Sequence, residues 1–177
     1  MFRYLLRNNL LWLTALLSIF VVGCQAINEE LPTYQETSMV GVGDKAPTFE
    51  IEAIDGTMLQ MPNGEPTLLI LFSHTCPDCK RMMSDLQNEL SNTALEYNIM
   101  AISRGGEKYE VEAFVAENNL QFRVAVDVDA TIYYQYAKMY VPRCYVIDAN
   151  GNVCFVTYEY QKGDIDSLLT QLNMLKL

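Results

Sequence analysis

The chain has 177 residues, with 12 Lys and Arg against 22 Asp and Glu, a formal net charge of −10 and a single histidine. An acidic balance of this size argues against nucleic acid and against anionic membrane surfaces as partners. The length suits one domain of ordinary size.

The first residues read as a targeting segment. Arg3 and Arg7 give a positive start, and Leu10 to Val22 is an apolar run of thirteen residues, short of the ~20 that cross a bilayer as a helix. The run ends in Val21-Val22-Gly23-Cys24, which resembles the lipobox of bacterial lipoproteins. That resemblance implies removal of residues 1–23 and a lipid on Cys24 as the first residue of the mature chain. An uncleaved membrane anchor is the alternative, and either route exports the remainder. Losing Arg3 and Arg7 takes the charge from −10 to −12. Residues 24–41 lack a clear period, contain Glu29-Glu30 and Pro32, and read as a tether between lipid and domain. The acidic pair is alternatively a sorting signal.

The domain opens at Val42-Gly43-Asp44-Lys45-Ala46-Pro47. Phe49 to Ile54 alternates apolar and acidic residues, Asp55-Gly56 signals a turn, and Thr57 to Met61 is a partner strand, so a hairpin is expected here. After the loop Pro62 to Pro66, the stretch Thr67 to Ser73 is continuously apolar from Leu68 to Phe72, the pattern of a buried parallel strand. A helix is expected from Pro77 to Glu96 with Met83, Leu86 and Leu90 on one face. A second buried strand lies within Tyr97 to Ser103 and is broken by Arg104-Gly105-Gly106. Lys108 to Asn118 carries Val111, Phe114 and Val115 at helical spacing, and Phe122 to Val126 is another strand. Asp127 and Asp129 lead into a short aromatic helix from Ala130 to Met139. A strand from Arg143 to Ile147, the turn Asp148 to Gly151 and a strand from Val153 to Tyr158 follow. A terminal helix, capped by Asp164, has Ile165, Leu168, Leu169 and Leu172 on its apolar face. This order specifies an α/β domain with a mixed sheet flanked by helices.

The chemistry concentrates in Leu68-Leu69-Ile70-Leu71-Phe72-Ser73-His74-Thr75-Cys76-Pro77-Asp78-Cys79. A buried strand runs through small polar residues into two cysteines spaced Cys-x-x-Cys, and helix-forming sequence follows at once. The first cysteine then sits at a helix N-terminus, where unpaired N–H groups and the helix dipole favour a thiolate. The second lies one turn on, within reach for a disulfide. Such a pair beside a βαβ pattern reads as a thioredoxin-like redox motif. Of the five cysteines, an exported chain lipidated at Cys24 keeps Cys76, Cys79, Cys144 and Cys154. Outside the cytoplasm a redox pair is stable in either state. A protonated His74, two residues before Cys76, would lower the thiol pKa, whereas Asp78 acts against a second negative charge. Cys144 and Cys154 flank the Asn150-Gly151 turn. They read as buried free thiols acting as small hydrophobes, with a second disulfide left open by the unknown register.

Residues 42–177 resemble the thioredoxin-like family of exported thiol–disulfide oxidoreductases, the TlpA/ResA branch. The resemblance is carried by Val42-Gly43-Asp44-Lys45-Ala46-Pro47-x-Phe49, Cys76-Pro77-Asp78-Cys79 and Val141-Pro142…Val146-Ile147-Asp148-x-x-Gly151. It implies a thioredoxin fold with an N-terminal hairpin and a cis Pro142 beside the cysteine pair. It also implies a Cys76 nucleophile, a resolving Cys79, and a Val141–Pro142 backbone that pairs with a client strand. No cofactor beyond the Cys76–Cys79 pair is implied. The implied partners are protein thiol and disulfide clients and a membrane thiol carrier that donates electrons, with reduction of clients as the direction.

Two positions depart from that family. Thr75 stands where an aromatic usually precedes the motif. The buried acid that relatives keep near the resolving cysteine is missing, because its two usual places hold Ile70 and Met82. Other readings are a copper or zinc site built from Cys76, Cys79 and His74 with a distant Cys144, and a non-catalytic binding module on the same fold. A peroxidase is disfavoured because Leu69 stands where related peroxiredoxins place a Pro, although Ser73 fits.

Overall fold

The computed structural model describes residues 31–93 and 96–176. In chain order its elements are α1 (Tyr34–Thr37), β1 (Phe49–Glu52), β2 (Met58–Met61), β3 (Thr67–Phe72), α2 (Pro77–Ser91), β4 (Ile99–Arg104), α3 (Lys108–Glu117), β5 (Arg123–Asp127), α4 (Tyr133–Tyr136), β6 (Arg143–Ile147), β7 (Val153–Tyr158) and α5 (Asp164–Met174).

The apolar run of β3 decides the architecture. All six of its residues are buried, which requires cover on both faces of the sheet. It is the middle strand of a five-stranded sheet ordered β5-β4-β3-β6-β7. The β3–β4 and β4–β5 pairs are parallel, and β3–β6 and β6–β7 are antiparallel. Side-chain alternation along β3 then divides the core in two. Leu68, Ile70 and Phe72 pack with α2, with Val111 and Phe114 of α3, and with α5. Leu69 and Leu71 pack on the other side with Leu59 and Met61 of β2, Tyr133, Tyr136 and Tyr145. The fold is the thioredoxin fold, with the expected hairpin as a separate two-stranded sheet in the register Phe49↔Met61 to Glu52↔Met58. An Ala53–Ala125 bridge and a bond from Ile54 N to the Val124 carbonyl (2.8 Å) fasten the hairpin to β5.

The domain entrance and the late turn, a hundred residues apart in sequence, are one structure. Asp148 Oδ1 accepts from Asn150 N (2.9 Å) and Asn152 N (2.8 Å), closing the turn. Residues 43–46 pair along it through Gly43 N to Val153 O, Val153 N to Asp44 O and Ala46 N to Gly151 O, each 2.9 Å. Gly151 has φ +82°, a left-handed conformation, and an added Cβ would stand 3.2 Å from Pro62 Cβ, so glycine is required there.

Several sequence expectations are corrected. Residues 33–40 belong to the compact unit that begins at Pro32 and are not a featureless tether. Thr33 and Glu36 form a capping box around α1, with Thr33 N donating to Glu36 Oε2 (2.7 Å) and Glu36 N donating back to Thr33 Oγ1 (3.3 Å). The T-x-x-E pattern was in the sequence, but no apolar run follows to advertise a helix. Helix α2 stops at Ser91, not Glu96. The aromatic helix is a single turn, Tyr133–Tyr136, rather than Ala130–Met139, because Asp127 Oδ2 accepts from Tyr133 N (2.8 Å) and starts the turn three residues late. Asp164 is the first residue of α5 and not its cap. Gly163, at φ +98°, holds the cap position, and Asp164 Oδ2 accepts from Gln161 N (2.7 Å).

Register also settles the two later cysteines. Cys144 lies opposite Thr157, and Cys154 is the extra residue of a bulge, because Val146 pairs with Phe155 and Ile147 with Val153. They do not face each other, and both are free thiols. Cys144 is fully buried with its thiol 3.4 Å from Met82 Sδ. Cys154 is only half-buried. Among the described residues no helix is long and apolar enough to cross a membrane.

Candidate active site

At the C-terminal end of β3 the chain turns through Ser73-His74-Thr75 and enters α2 at Cys76. Ser73 O accepts from Cys76 N (3.1 Å), and the Ser73 and Thr75 hydroxyls lie 3.0 Å apart. Cys76 is the N-cap residue of α2, in the cap's usual extended conformation. Pro77 occupies the first helical position, where its missing N–H costs nothing. The Cys76 sulfur takes the place of a capping oxygen and accepts from Cys79 N at 3.4 Å. The helix dipole and an N–H group therefore both bear on that sulfur.

The two cysteines differ in exposure. Cys76 is half-buried and Cys79 is wholly buried. Cys79 points into the α2 face of the core with Met82, Met83 and Leu86. Burial pushes the Cys79 thiol well above the ordinary range, and Cys144 close by acts in the same direction. Burial likewise pushes the Cys144 thiol up to about 12. Both sulfurs of the pair are free thiols in this structure.

Across from Cys76 runs the loop between α4 and β6. The Val141–Pro142 peptide bond is cis, and the Cys76 thiol donates to the Val141 carbonyl at 3.7 Å. Cys76, Cys79, Val141 and Pro142, predicted as a group, are thus brought together.

The flanking residues lie apart. Asp78, in the first turn of α2, pairs with Arg81 on the exposed side of the helix. His74 turns toward α3. Its Nε2 is 3.7 Å from Glu110 Oε2, its Nδ1 is buried with no hydrogen-bond partner, and its ring fills the space beside Gly106. A Cβ on Gly106 would come within 2.5 Å of the His74 ring. Glu110 also accepts from Glu107 N (2.9 Å), so His74 is tied to the N-terminal turn of α3. Ile70 and Met82, the two positions that lack the expected acid, are both buried and apolar. Cys24 falls outside the described residues. Among the described residues no group of three or more His, Cys, Asp or Glu side chains is placed to hold a metal ion.

Sequence reading missed what holds the loop. Arg143, the first residue of β6, is completely buried and reaches back over the loop to α1. A charged residue inside the apolar run from Val141 to Ile147 was the available signal. Tyr133, read only as part of an aromatic helix, donates its hydroxyl to Tyr140 O (2.8 Å).

A buried central strand delivering a Cys-x-x-Cys pair to a helix N-terminus, opposite a cis X–Pro bond, defines the class: thioredoxin-fold proteins with a dithiol site. Within it the chain belongs to the AhpC/TSA family, whose pattern matches residues 42–156. It is similar to a thiol–disulfide oxidoreductase ResA of Oceanobacillus iheyensis, 26% identical over 160 residues covering 85% of this chain and 79% of that protein. Among solved structures it resembles a putative protein disulfide isomerase from Bacteroides thetaiotaomicron (TM-score 0.72, 24% identity, 80% of this chain and 94% of that one). It also resembles a putative thiol:disulfide interchange protein DsbE from Chlorobium tepidum (TM-score 0.67, 21% identity, 77% and 98%).

Proposed function

We propose that the protein is a thiol–disulfide oxidoreductase that reduces disulfides of exported client proteins through Cys76 and Cys79. The observation that carries this is the asymmetry of the pair. One sulfur is half-exposed at a helix N-terminus, and the other is sealed in the core one turn away. The Cys76 thiolate attacks a client sulfur, the client disulfide breaks, and one client thiolate leaves as a Cys76–client mixed disulfide forms. The Cys79 thiolate then attacks Cys76 Sγ, releasing the second client thiolate and leaving a Cys76–Cys79 disulfide. The client gains two electrons and the pair loses two. An extended client segment beside the Val141 backbone would be held next to Cys76. The raised Cys79 thiol must lose its proton for the second step. With Ile70 and Met82 apolar, that proton leaves by the Cys76 opening rather than through a buried acid.

The ResA relative, a thiol–disulfide oxidoreductase by name, supports the assignment. A reducing role outside the cytoplasm needs a continuing electron supply, for which a membrane thiol carrier is the class of donor. The lipobox-like Val21-Val22-Gly23-Cys24 would place the domain at the membrane, facing the periplasm or the outer surface, with residues 24–31 as the remaining tether. Incorporation of radiolabelled palmitate that disappears in Cys24→Ala is the expected result for the anchor.

The decisive measurement is trapping. Cys79→Ser, mixed with a disulfide-bonded protein, should accumulate a covalent adduct that dithiothreitol releases, and Cys76→Ser should form none. Adducts through neither cysteine, with no reversible two-electron exchange against glutathione buffers in the native protein, would sink the redox reading in favour of a binding module. A potential near about −270 mV is expected for a reductase, whereas one near about −120 mV would reverse the direction.

A further inference from the structure

We propose that Arg143 is the positioning residue of this site, holding the loop from Met139 to Pro142 in the form that receives a protein disulfide. The proposal rests on the redox reading above. Arg143 is wholly buried, and among the described residues no carboxylate lies within ion-pair distance of it. A buried cation without an acid is unusual, and an apolar side chain of similar size would often stabilise a core at least as well. What the guanidinium does instead is grip. Its Nε (3.0 Å) and Nη2 (2.9 Å) both donate to Met139 O. Nη2 donates to Thr37 Oγ1 (2.7 Å) and Nη1 to Ser38 Oγ (2.6 Å). The plane also lies 5.0 Å from the ring centre of Tyr158.

The bonds fall on a loop whose carbonyls are taken in sequence by four different donors. Met139 O accepts from Arg143, Tyr140 O from the Tyr133 hydroxyl, Val141 O from the Cys76 thiol and Pro142 O from Glu159 N (2.9 Å). Tyr140 sits at φ +70°, a conformation a bulky residue keeps only when its surroundings over-determine it. Of the four donors, only the Cys76 thiol is consumed by the reaction. The other three keep the loop in place when Cys76 carries a client sulfur.

The N-terminal segment completes the clamp. Lys138 N donates to Thr37 O (2.8 Å), Met39 N donates to Tyr136 O (2.9 Å), and Ser38 bridges Ala137. Arg143 thus ties the strap of residues 37–39 to the loop that faces Cys76. A loop fixed before the client arrives spares the ordering cost at binding, which appears in affinity. A small disulfide too short to lay an extended strand along the loop gains little from that order.

The test compares insulin, a protein disulfide, with oxidised glutathione, a small one, using the detergent-solubilised full chain and dithiothreitol as reductant. Arg143→Met should raise KM for insulin about tenfold with kcat within about threefold, lowering insulin-over-glutathione selectivity about tenfold. Arg143→Lys should recover part of that loss. The pair Thr37→Val with Ser38→Ala, which keeps both bonds to Met139, should lower selectivity about threefold. It decides the matter if Arg143→Met does not fold. Equal losses on both substrates, or unchanged selectivity in the strap variant and in any folded Arg143 variant, would overturn the inference. A native protein that exchanges with neither disulfide defeats the redox reading instead.

Discussion

The two walls that meet at the active site are held by different physics. The face under α2 is apolar and rich in sulfur: Cys79, Met82, Met83 and Cys144 lie among Leu86, Ile70, Phe72 and Leu168. Its cohesion is area and close packing, which are non-directional. The opposite face, at the active-site end, carries Arg143, Tyr133, Tyr136 and Tyr145, and its loop is fixed by named donors and acceptors. Packing without direction suits the task of keeping Cys79 from water. Directional bonds suit a loop that must present one backbone geometry to Cys76. Each cysteine-facing wall is thus built from the interaction its task requires.

Leu86→Ala tests the packed face most severely. Leu86 is wholly buried on α2, and removing its side chain should cost about 2–5 kcal/mol through lost transfer energy and an incompletely collapsed cavity. Denaturant melts would show it as a fall in midpoint at constant slope. The selectivity between insulin and glutathione disulfide should stay near the native ratio, because no loop contact is touched. A large change in selectivity would mean that the two faces are mechanically one.

The next effect is the pH dependence of the reduced protein. Cys79 and Cys144 have folded pKa values raised by burial, the latter to about 12, against about 8.5 in an unfolded chain. Above about pH 8.5 the unfolded chain releases these protons and the folded one keeps them. The unfolded state then binds fewer protons and unfolding becomes easier as pH rises. The slope approaches about 1.4 kcal/mol per pH unit for each thiol, and the two together amount to about 3 kcal/mol between pH 8.5 and 10. Urea melts of the reduced protein across that window, repeated with Cys144→Ala, should show the alkaline loss roughly halved in the variant. Above pH 10 the buried phenols add to the loss, since burial also raises Tyr133, Tyr136 and Tyr145. An identical alkaline slope in the variant would show that Cys144 does not contribute.

The packed face was the legible one. Uninterrupted apolar runs at Leu68–Phe72 of β3 and from Cys144 to Ile147 of β6 announce burial directly, and the spacing of Met83, Leu86 and Leu90 announces a helix face. β6 and β7 have the boundaries read from sequence. The Cys-x-x-Cys pair was legible for the same reason, since its chemistry and its strand–helix setting are local. The directional face was not. Arg143 reaches Thr37 across 106 positions of sequence, and nothing in the period of either segment encodes that pairing. His74 lay close to Cys76 in sequence, yet its ring direction is set by a glycine before α3 and a glutamate on it. Local pattern reports hydrophobic burial well because burial is a property of single residues, whereas a hydrogen-bonded clamp belongs to pairs.

The smallest effect isolates a single bond of the directional face. Tyr133→Phe keeps the ring, its burial and its stacking under the Arg104 guanidinium, 4.7 Å from the ring centre. It removes only the hydroxyl that donates to Tyr140 O at 2.8 Å. Leaving that carbonyl without its donor should cost about 1 kcal/mol, well below the loss at Leu86. The functional change should be disproportionate to that cost: KM for insulin rises about two- to threefold, roughly what half of one such bond is worth, while kcat and the rate with oxidised glutathione hold. A packing-dominated loop predicts the reverse, a stability loss with no separation between the two substrates. If Tyr133→Phe costs as much as Leu86→Ala and leaves KM alone, the loop is held by its tyrosine rings rather than by its donors, and the contrast between the two faces collapses.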